Sequence, residues 1–278
     1  MVEAPGVPAG MQAPADDGAA PPRYSIVIPV HNEAECLAAE VTGLVAELQA
    51  RAVDYELILA ENGSSDDTPV IAERLAAANP RVRVLRVPVP DYGYAMKTGM
   101  LEGRGDFVVN FDIDFHDVGF MLAAGEVLAG ATGSPGGAAP SAGRGPGVAG
   151  GTPGIVVGSK LIEGAEDRRS ATRHFISQGF TTLLRMLFDR RMDDTHGMKV
   201  LRREVVARYA PQTVRTTDLF DTELIIRARR EGVIVKALPV TVEEKRKPRS
   251  SIARRIPRTI KNLMRLRMVL WKEMRAGF

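Results

Sequence analysis

The sequence predicts an α/β fold in which a mostly parallel sheet is flanked by helices. Three observations carry this expectation. Short runs rich in β-branched and aromatic residues, such as YSIVIPV, YELILA and VRVLRVP, end in turn-forming residues. Between them lie stretches whose apolar residues recur at helical spacing. Strands alternating with helices in this way require parallel pairing with crossover helices on the sheet faces.

In chain order, residues 1–22 are rich in Ala, Pro and Gly with little to pack, which predicts a disordered tail. A folded domain over 23–250 begins with the strand YSIVIPV. EAECLAAEVTGLVAELQAR follows as a helix and YELILA as a second strand. DDTPVIAERLAAANP has the acidic start and proline stop of a helix. VRVLRVP reads as a strand, GYAMKTGMLEG as a short helix and DFVVNFD as a fourth strand. Residues 130–154 are dominated by Gly, Pro, Ala and Ser with almost nothing to form a core, which predicts a flexible insertion. The fold resumes at GIVVGSKLIEG. It continues through a helix around RHFISQGFTTLLRMLFDR, a loop RMDDTHGMKV, a helix LFDTELIIRARREG and a strand VIVKALPVTV.

Composition bounds the function. The chain has 278 residues, 45% hydrophobic and 26% charged, as in ordinary globular proteins. One cysteine excludes an internal disulfide framework and fits a reducing compartment. No run approaches the length of a spanning helix, and the N-terminus lacks the pattern of a secretory leader, so a cytosolic chain is expected. The net charge of +3 divides unevenly. Residues 245–278 carry 12 Lys/Arg against Glu273 alone, and the remainder is acidic. A basic tail on an acidic body points to an anionic surface at that end.

Polar clusters follow three strands: HNEAE, ENGSSDDT and, within NFDIDFHD, DIDFHD. A turn with a helix cap explains one such cluster equally well. Three along the carboxyl edge of one sheet argue for a ligand site. In an extended segment Asp112, Asp114 and His116 would share one side while Ile113 and Phe115 face the core. Two carboxylates and an imidazole suit Mn²⁺, or Mg²⁺ completed by water and phosphate oxygens. Phosphate as a further ligand points to a nucleoside-diphosphate substrate. No Walker-type Gly-rich loop is present, which disfavours a P-loop NTPase.

SIVIPVHNEAECL, ENGSSDDT, GYAMKTGM and DFVVNFDIDFHD resemble the successive signatures of family 2 glycosyltransferases, which have the GT-A fold. VVGSKLIEG, RHFIS, DDTHGMKVLRRE, FDTELIIRA and LPVTVEEKRKPRSS are similar to the polyprenyl-phosphate branch of the dolichyl-phosphate mannose synthase type. The resemblance runs from about Tyr24 to Ser251. It implies transfer of a hexose from GDP-mannose or UDP-glucose, with mannose favoured, to a polyprenyl phosphate, and no nucleic-acid partner.

By this resemblance Pro29, Val30, Asn32 and Glu33 would hold the base, and Glu61 and Asn62 the base or ribose. Lys97 would lie near the donor phosphates. Asp112, Asp114 and His116 would form the metal site, with Asp112 also serving the donor and Asp114 the chemistry. Lys160, Arg173 and Ser177, assisted by Lys245 or Arg246, would meet the acceptor phosphate, with Lys160 counted among the catalytic groups. Asp221 and Glu223 would approach the sugar or orient the basic residues, Asp221 in a catalytic role. The chain departs from the family pattern with Glu61 for Asp, Lys160 for Arg, His116 for Gln and His196 for Ser or Cys. A soluble acceptor, or a non-catalytic protein binding nucleotide sugars or anionic lipid, remains an alternative.

Residues 251–278 read as a basic amphipathic helix. Arg254, Arg258, Lys261, Arg265, Lys272 and Arg275 share one stripe. Ile256, Ile260, Leu263, Leu270, Trp271 and Met274 lie opposite, and Pro257 is expected in the first turn. Such a helix either lies in a membrane interface or packs on the domain with its basic face in water. With a lipid-linked acceptor, a peripheral position at the cytoplasmic membrane face is expected.

Overall fold

The computed structural model describes residues 20–130, 151–160, 162–167, 171–190, 192, 195, 197–214, 219–242 and 252–275. The element order is β1 (Tyr24–Val30), α1 (Leu37–Ala50), β2 (Tyr55–Asn62), α2 (Thr68–Ala78), β3 (Val82–Val87), α3 (Tyr92–Glu102), β4 (Phe107–Asn110) and α4 (Val118–Ala129). Then follow β5 (Ile155–Ser159), β6 (Glu166–Asp167), α5 (Ala171–Leu187), β7 (Lys199–Arg202), α6 (Arg203–Tyr209) and α7 (Phe220–Arg230). The chain ends with β8 (Val235–Pro239), β9 (Thr241–Val242) and α8 (Ile252–Arg275).

Seven strands form one sheet in the order β3-β2-β1-β4-β7-β5-β8, and β6 pairs with β9 beside it. β7 alone runs antiparallel, against both β4 and β5. The expected mostly parallel sheet is therefore present, with one reversed strand in its middle. That strand begins with the last two residues of RMDDTHGMKV, where the sequence predicts a loop, and runs two residues past it.

β1 is buried on both faces, and its alternate residues feed two cores. Ile26, Ile28 and Val30 meet one, with residues of α1, α2 and α4. Val27 meets the other, with residues of α3, α6, α7 and α8. α3 lies close enough to the sheet that a Cβ on Gly99 would come within 2.5 Å of Val27 Cγ1. α8 closes the second core through Leu263, Leu266 and Leu270. Its first residue is Ile252, so Pro257 falls in the second turn, past the position expected for it.

At the amino edge of the sheet, buried Glu56 accepts hydrogen bonds from Ser25 Oγ at 2.6 Å, Arg104 N at 2.7 Å and Arg83 Nε at 3.1 Å. Burial alone would push this carboxyl up, but the Ser25, Arg104 and Arg83 donors together hold it below its ordinary 4.5. A depressed folded value stabilises the fold above the unfolded value and loses that contribution as pH falls through the folded one. Glu56→Gln is expected to cost about 1–3 kcal/mol near neutral pH. The difference from the parent should shrink as denaturation midpoints are measured below pH 4.5; a constant difference would refute the assignment.

Candidate functional site

The sheet order reverses between β1 and β4, with β2 on one side of β1 and β4 on the other. Connections leaving the carboxyl ends of these two strands diverge, and the crevice between them is where open α/β sheets bind ligands. β1 ends at Val30, with Pro29 half-buried before it. β4 ends at Asn110. β5 delivers Lys160 to the same edge, and the reversed β7 begins there, with Lys199 opposite Asn110.

The loops after β1 and β2 are stitched together. Asn32 adopts a left-handed backbone (φ 55°), which Asn tolerates better than most residues. Its Oδ1 accepts from Ser65 N at 2.8 Å, and its own N–H donates to Ser64 Oγ. Glu33 N donates to Thr68 Oγ1, and Glu61 Oε1 accepts from Ser64 N at 2.6 Å. β2 extends through Glu61 and Asn62, both buried, so the polar cluster begins inside the strand. Most polar contacts of ENGSSDDT therefore run to the loop after β1, and α2 has no side-chain cap from Asp67, so a simple turn with a helix cap does not explain the cluster. Asn62 Oδ1 is buried without a hydrogen-bond partner among the described residues.

After β4 the chain does not stay extended. Asp112 and Phe115 exchange backbone hydrogen bonds at 3.2 and 3.1 Å, closing a tight turn over Ile113 and Asp114. The strand alternation expected to bring Asp112, Asp114 and His116 to one side therefore does not operate. His116 Nε2 instead lies 3.9 Å from Glu40 Oε2 of α1, with its ring beside Phe111. Among the described residues no group of three or more His, Cys, Asp or Glu side chains is arranged to hold a metal ion. Ile113 and Phe115 do pack on the core. Asp117 accepts from Phe120 N at 2.9 Å and caps α4.

A carboxylate pair remains. The Asp112 carboxyl is pushed up to about 6, chiefly by burial. Lys199 and Lys160 pull it down, while the charges of Asp221 and Asp114 raise it further. A pair of hard oxygen donors, one of them (Asp112) held in a setting that resists its ionisation, fits a divalent cation whose charge would offset the acids. Asp112 and Asp114 would hold Mn²⁺ or Mg²⁺, with the remaining positions open to other oxygens.

Beneath this turn sits a group largely missed in the sequence. Asp221, on the first turn of α7, accepts from Tyr92 Oη at 3.1 Å and Asn110 Nδ2 at 3.3 Å. Lys199 Nζ lies 3.1 Å from its Oδ2, and both side chains are almost wholly buried. Tyr92 is held well above its ordinary 10 by burial and by the charges of Asp221 and Asp112, so it stays a donor. Asp221 thereby fastens α3, β4 and β7 together under the crevice. Asp221 pairs with Lys199, which is not among the basic residues expected at the acceptor phosphate.

Two expected donor or acceptor groups lie elsewhere. Lys97 Nζ donates to the carbonyls of Pro211 and Thr213, at 3.2 and 3.1 Å, because α3 carries it down and away from the carboxyl edge. Burial lowers its pKa, with Arg227 acting the same way and Glu223 opposing. Glu223 is two residues from Asp221, on a different side of the helix. It accepts from Val214 N and Arg227 Nε at 2.9 and 2.8 Å. Arg227 in turn makes paired contacts of 3.1 Å with Glu273 of α8. Glu223 thus anchors α7 to α8 and does not face the crevice.

On α5, Arg173 and Ser177 are one turn apart on a single face. The side chain of Arg173, together with His196, Lys245 and Arg246, lies outside the described residues.

The family description "Glycosyl transferase family 2" matches residues 25–116, the segment from β1 through the turn after β4. Over 243 residues the chain is 28% identical to glycosyltransferase AglD of Haloferax volcanii, covering 84% of this chain and 35% of that protein. It is 27% identical over 236 residues to dolichyl-phosphate β-glucosyltransferase ALG5C of Trichomonas vaginalis, covering 79% and 64%. The chain thus spans less than two thirds of either relative.

Among solved structures, it is similar to glucosyl-3-phosphoglycerate synthase from Mycobacterium tuberculosis in complex with Mn²⁺, UDP and glucosyl-3-phosphoglycerate. The TM-score is 0.59 at 20% identity, over 88% of this chain and 80% of that one. It is also similar to the Pyrobaculum calidifontis mannosyltransferase PcManGT in complex with GDP-Man and Mn²⁺. There the TM-score is 0.54 at 19% identity, over 87% and 62%. These neighbours support the GT-A fold. The glycosyl transferase family 2 match is confined to residues 25–116, the segment that carries the carboxyl-edge loops and the acidic turn.

Proposed function

We propose that the chain is an inverting glycosyltransferase that moves a hexose, mannose in preference to glucose, from a nucleoside-diphosphate sugar to a polyprenyl phosphate. The observation that carries this is the Asp112–Asp114 turn at the sheet's switch point, with Lys160 and the Asp221–Lys199 pair acting on the Asp112 carboxyl. The β-glucosyltransferase relative is named for a dolichyl-phosphate acceptor. An undecaprenyl-phosphate sugar transferase of Pseudomonas fluorescens is 35% identical over 95 residues, covering 34% of this chain and 28% of that protein.

In this reading the loops bearing Pro29, Val30, Asn32, Glu33, Glu61 and Asn62 form the nucleoside end of the crevice. Asn62 Oδ1, buried without a partner among the described residues, is the acceptor best placed to take a hydrogen bond there. Mn²⁺ or Mg²⁺ held by Asp112 and Asp114 would supply charge neutralisation at the departing diphosphate. Lys160, Arg173 and Ser177, with Lys245 or Arg246, hold the acceptor phosphate on the opposite side of the sugar. A phosphate oxygen attacks the anomeric carbon as the bond to the diphosphate breaks, inverting that centre. The acceptor is already anionic near neutral pH, so no general base has to remove a proton. Positioning and electrostatics then carry the rate. A membrane surface would present the lipid substrate, with α8 beside it. Among the described residues, no helix is long and apolar enough to cross a membrane.

Nucleotide sugars assayed against polyprenyl phosphate and against soluble phosphorylated acceptors test the reading directly. Within that matrix, Arg173→Ala is expected to raise the acceptor KM roughly tenfold or more, the scale of one lost charge-assisted contact, with the donor KM little changed. Transfer to soluble acceptors alone would replace the lipid assignment while leaving the donor site standing.

A further inference from the structure

α8 has three faces. Leu263, Leu266 and Leu270 are buried against the domain, and Arg258, Lys261, Arg265 and Lys272 form an exposed basic face. The third face is apolar yet exposed: Ile256, Ile260, Met264, Met268, Trp271 and Met274, with Met268 and Met274 each 56% accessible. A helix that served only to complete the core would have no need of this third face.

The apolar stripe borders a two-part groove between α8 and the C-terminal end of α5. One part, of about 460 Å³, is lined by Arg185, Met186, Arg190 and Arg267 among others. The second, of about 250 Å³, shares Phe188, Asp189 and Arg267 with it and adds Arg229, Arg230 and Trp271. Across both, five arginines face one acid, Asp189, which is itself paired with Arg229 at 3.1 Å. Met186 at the rim is 72% accessible.

We infer that this groove takes the headgroup of an anionic phospholipid while Met186, Met264, Met268 and Trp271 enter the acyl boundary of the bilayer. The chemistry selects the occupant. Guanidinium groups match phosphate oxygens, and an apolar rim with a tryptophan beside basic residues matches a bilayer interface. A second copy of the chain would bring five more arginines to the same face. A nucleic acid would leave the methionine stripe without a partner.

α5 relates the groove to the crevice. Residues 173 and 186 lie on this helix, separated by about 20 Å of rise. The inference rests on the membrane part of the proposed function and not on the acceptor's identity.

Trp271 is the single tryptophan, so its emission reports this surface alone. The full chain is titrated with phosphatidylcholine vesicles and with vesicles containing about one third phosphatidylglycerol. Blue-shifted emission, and quenching by brominated acyl chains, are expected with the anionic vesicles only. Arg190→Glu should weaken partitioning roughly tenfold and make it less sensitive to salt. Met268→Ser should reduce the quenching. Both variants should keep the parent's turnover on a short-chain acceptor in detergent. Unchanged Trp271 emission on anionic vesicles, binding without quenching, or equal partitioning into neutral vesicles would each overturn the inference. Loss of transfer to every polyprenyl phosphate, with vesicle binding intact, would instead overturn the acceptor assignment alone.

Discussion

Asp114→Ala is expected to lower sugar transfer by about a thousandfold, the scale lost when a main electrostatic contact to developing charge is removed. The residue sits at the tip of the tight turn closed by Asp112 and Phe115, and it is partly exposed. Its carboxylate contributes to the raised Asp112 value, so removal relieves a repulsion and should leave stability within about 0.5 kcal/mol of the parent. Metal affinity, followed by Mn²⁺ titration in the presence of nucleoside diphosphate, should fall with activity. Turnover close to the parent's, or parental turnover undiminished by EDTA, would eliminate the metal from the mechanism. His116→Gln should have a much smaller effect, since the imidazole is turned toward Glu40.

Lys199→Met is expected to destabilise the fold by about 3–5 kcal/mol, because it leaves the buried Asp221 carboxylate without its cation. Tyr92 and Asn110 would still donate to Asp221, which limits the loss to that range. Adding Asp221→Asn should recover part of the stability, since the uncompensated charge is then gone. The comparison of single and double variants by urea denaturation isolates the pair from the packing of the lysine stem. A loss below about 1 kcal/mol for the single variant would mean that the pair is not a principal brace of the crevice. Turnover of the double variant should stay below the parent's even where its stability approaches it, because Asp221 shapes the floor of the site.

The alternation of apolar strands with helices was sufficient to predict the parallel part of the sheet. β1, β2 and β3 lie where their runs predicted: β1 and β2, buried on both faces, have few alternatives to a continuous apolar run, while β3 at the sheet edge is only partly buried. Ile113 and Phe115 do reach the core as expected, but through a tight turn and not through strand alternation. On the C-terminal helix, local pattern separated apolar from basic residues correctly. It did not distinguish which apolar residues the domain would cover. That depended on which side of the helix meets α7 and α5, and the outcome was Leu263, Leu266 and Leu270 inside with Met268 and Trp271 out.

What the sequence by itself determined is the class of the molecule: strands, crossover helices, the acidic segment after β4 and its position at the carboxyl edge. These follow from periods of two and 3.6 residues and from turn chemistry, all local properties. Only the tertiary structure decided how the site is assembled. β7 is four residues long and reads as the end of a loop. It becomes a strand because β4 and β5 offer it two hydrogen-bonding edges, and in joining them it brings Lys199 to Asp221, 22 residues further along the chain. Asp221 and Glu223 look equivalent in FDTEL, yet helical geometry sends one to the crevice floor and the other to Arg227. Ion pairs between distant segments leave no local pattern, since their stability depends on burial and on which elements meet. Loop patterns in the sequence supplied the proposed ligand-contacting residues, and the groups that hold those loops in place became visible only once the strands were paired.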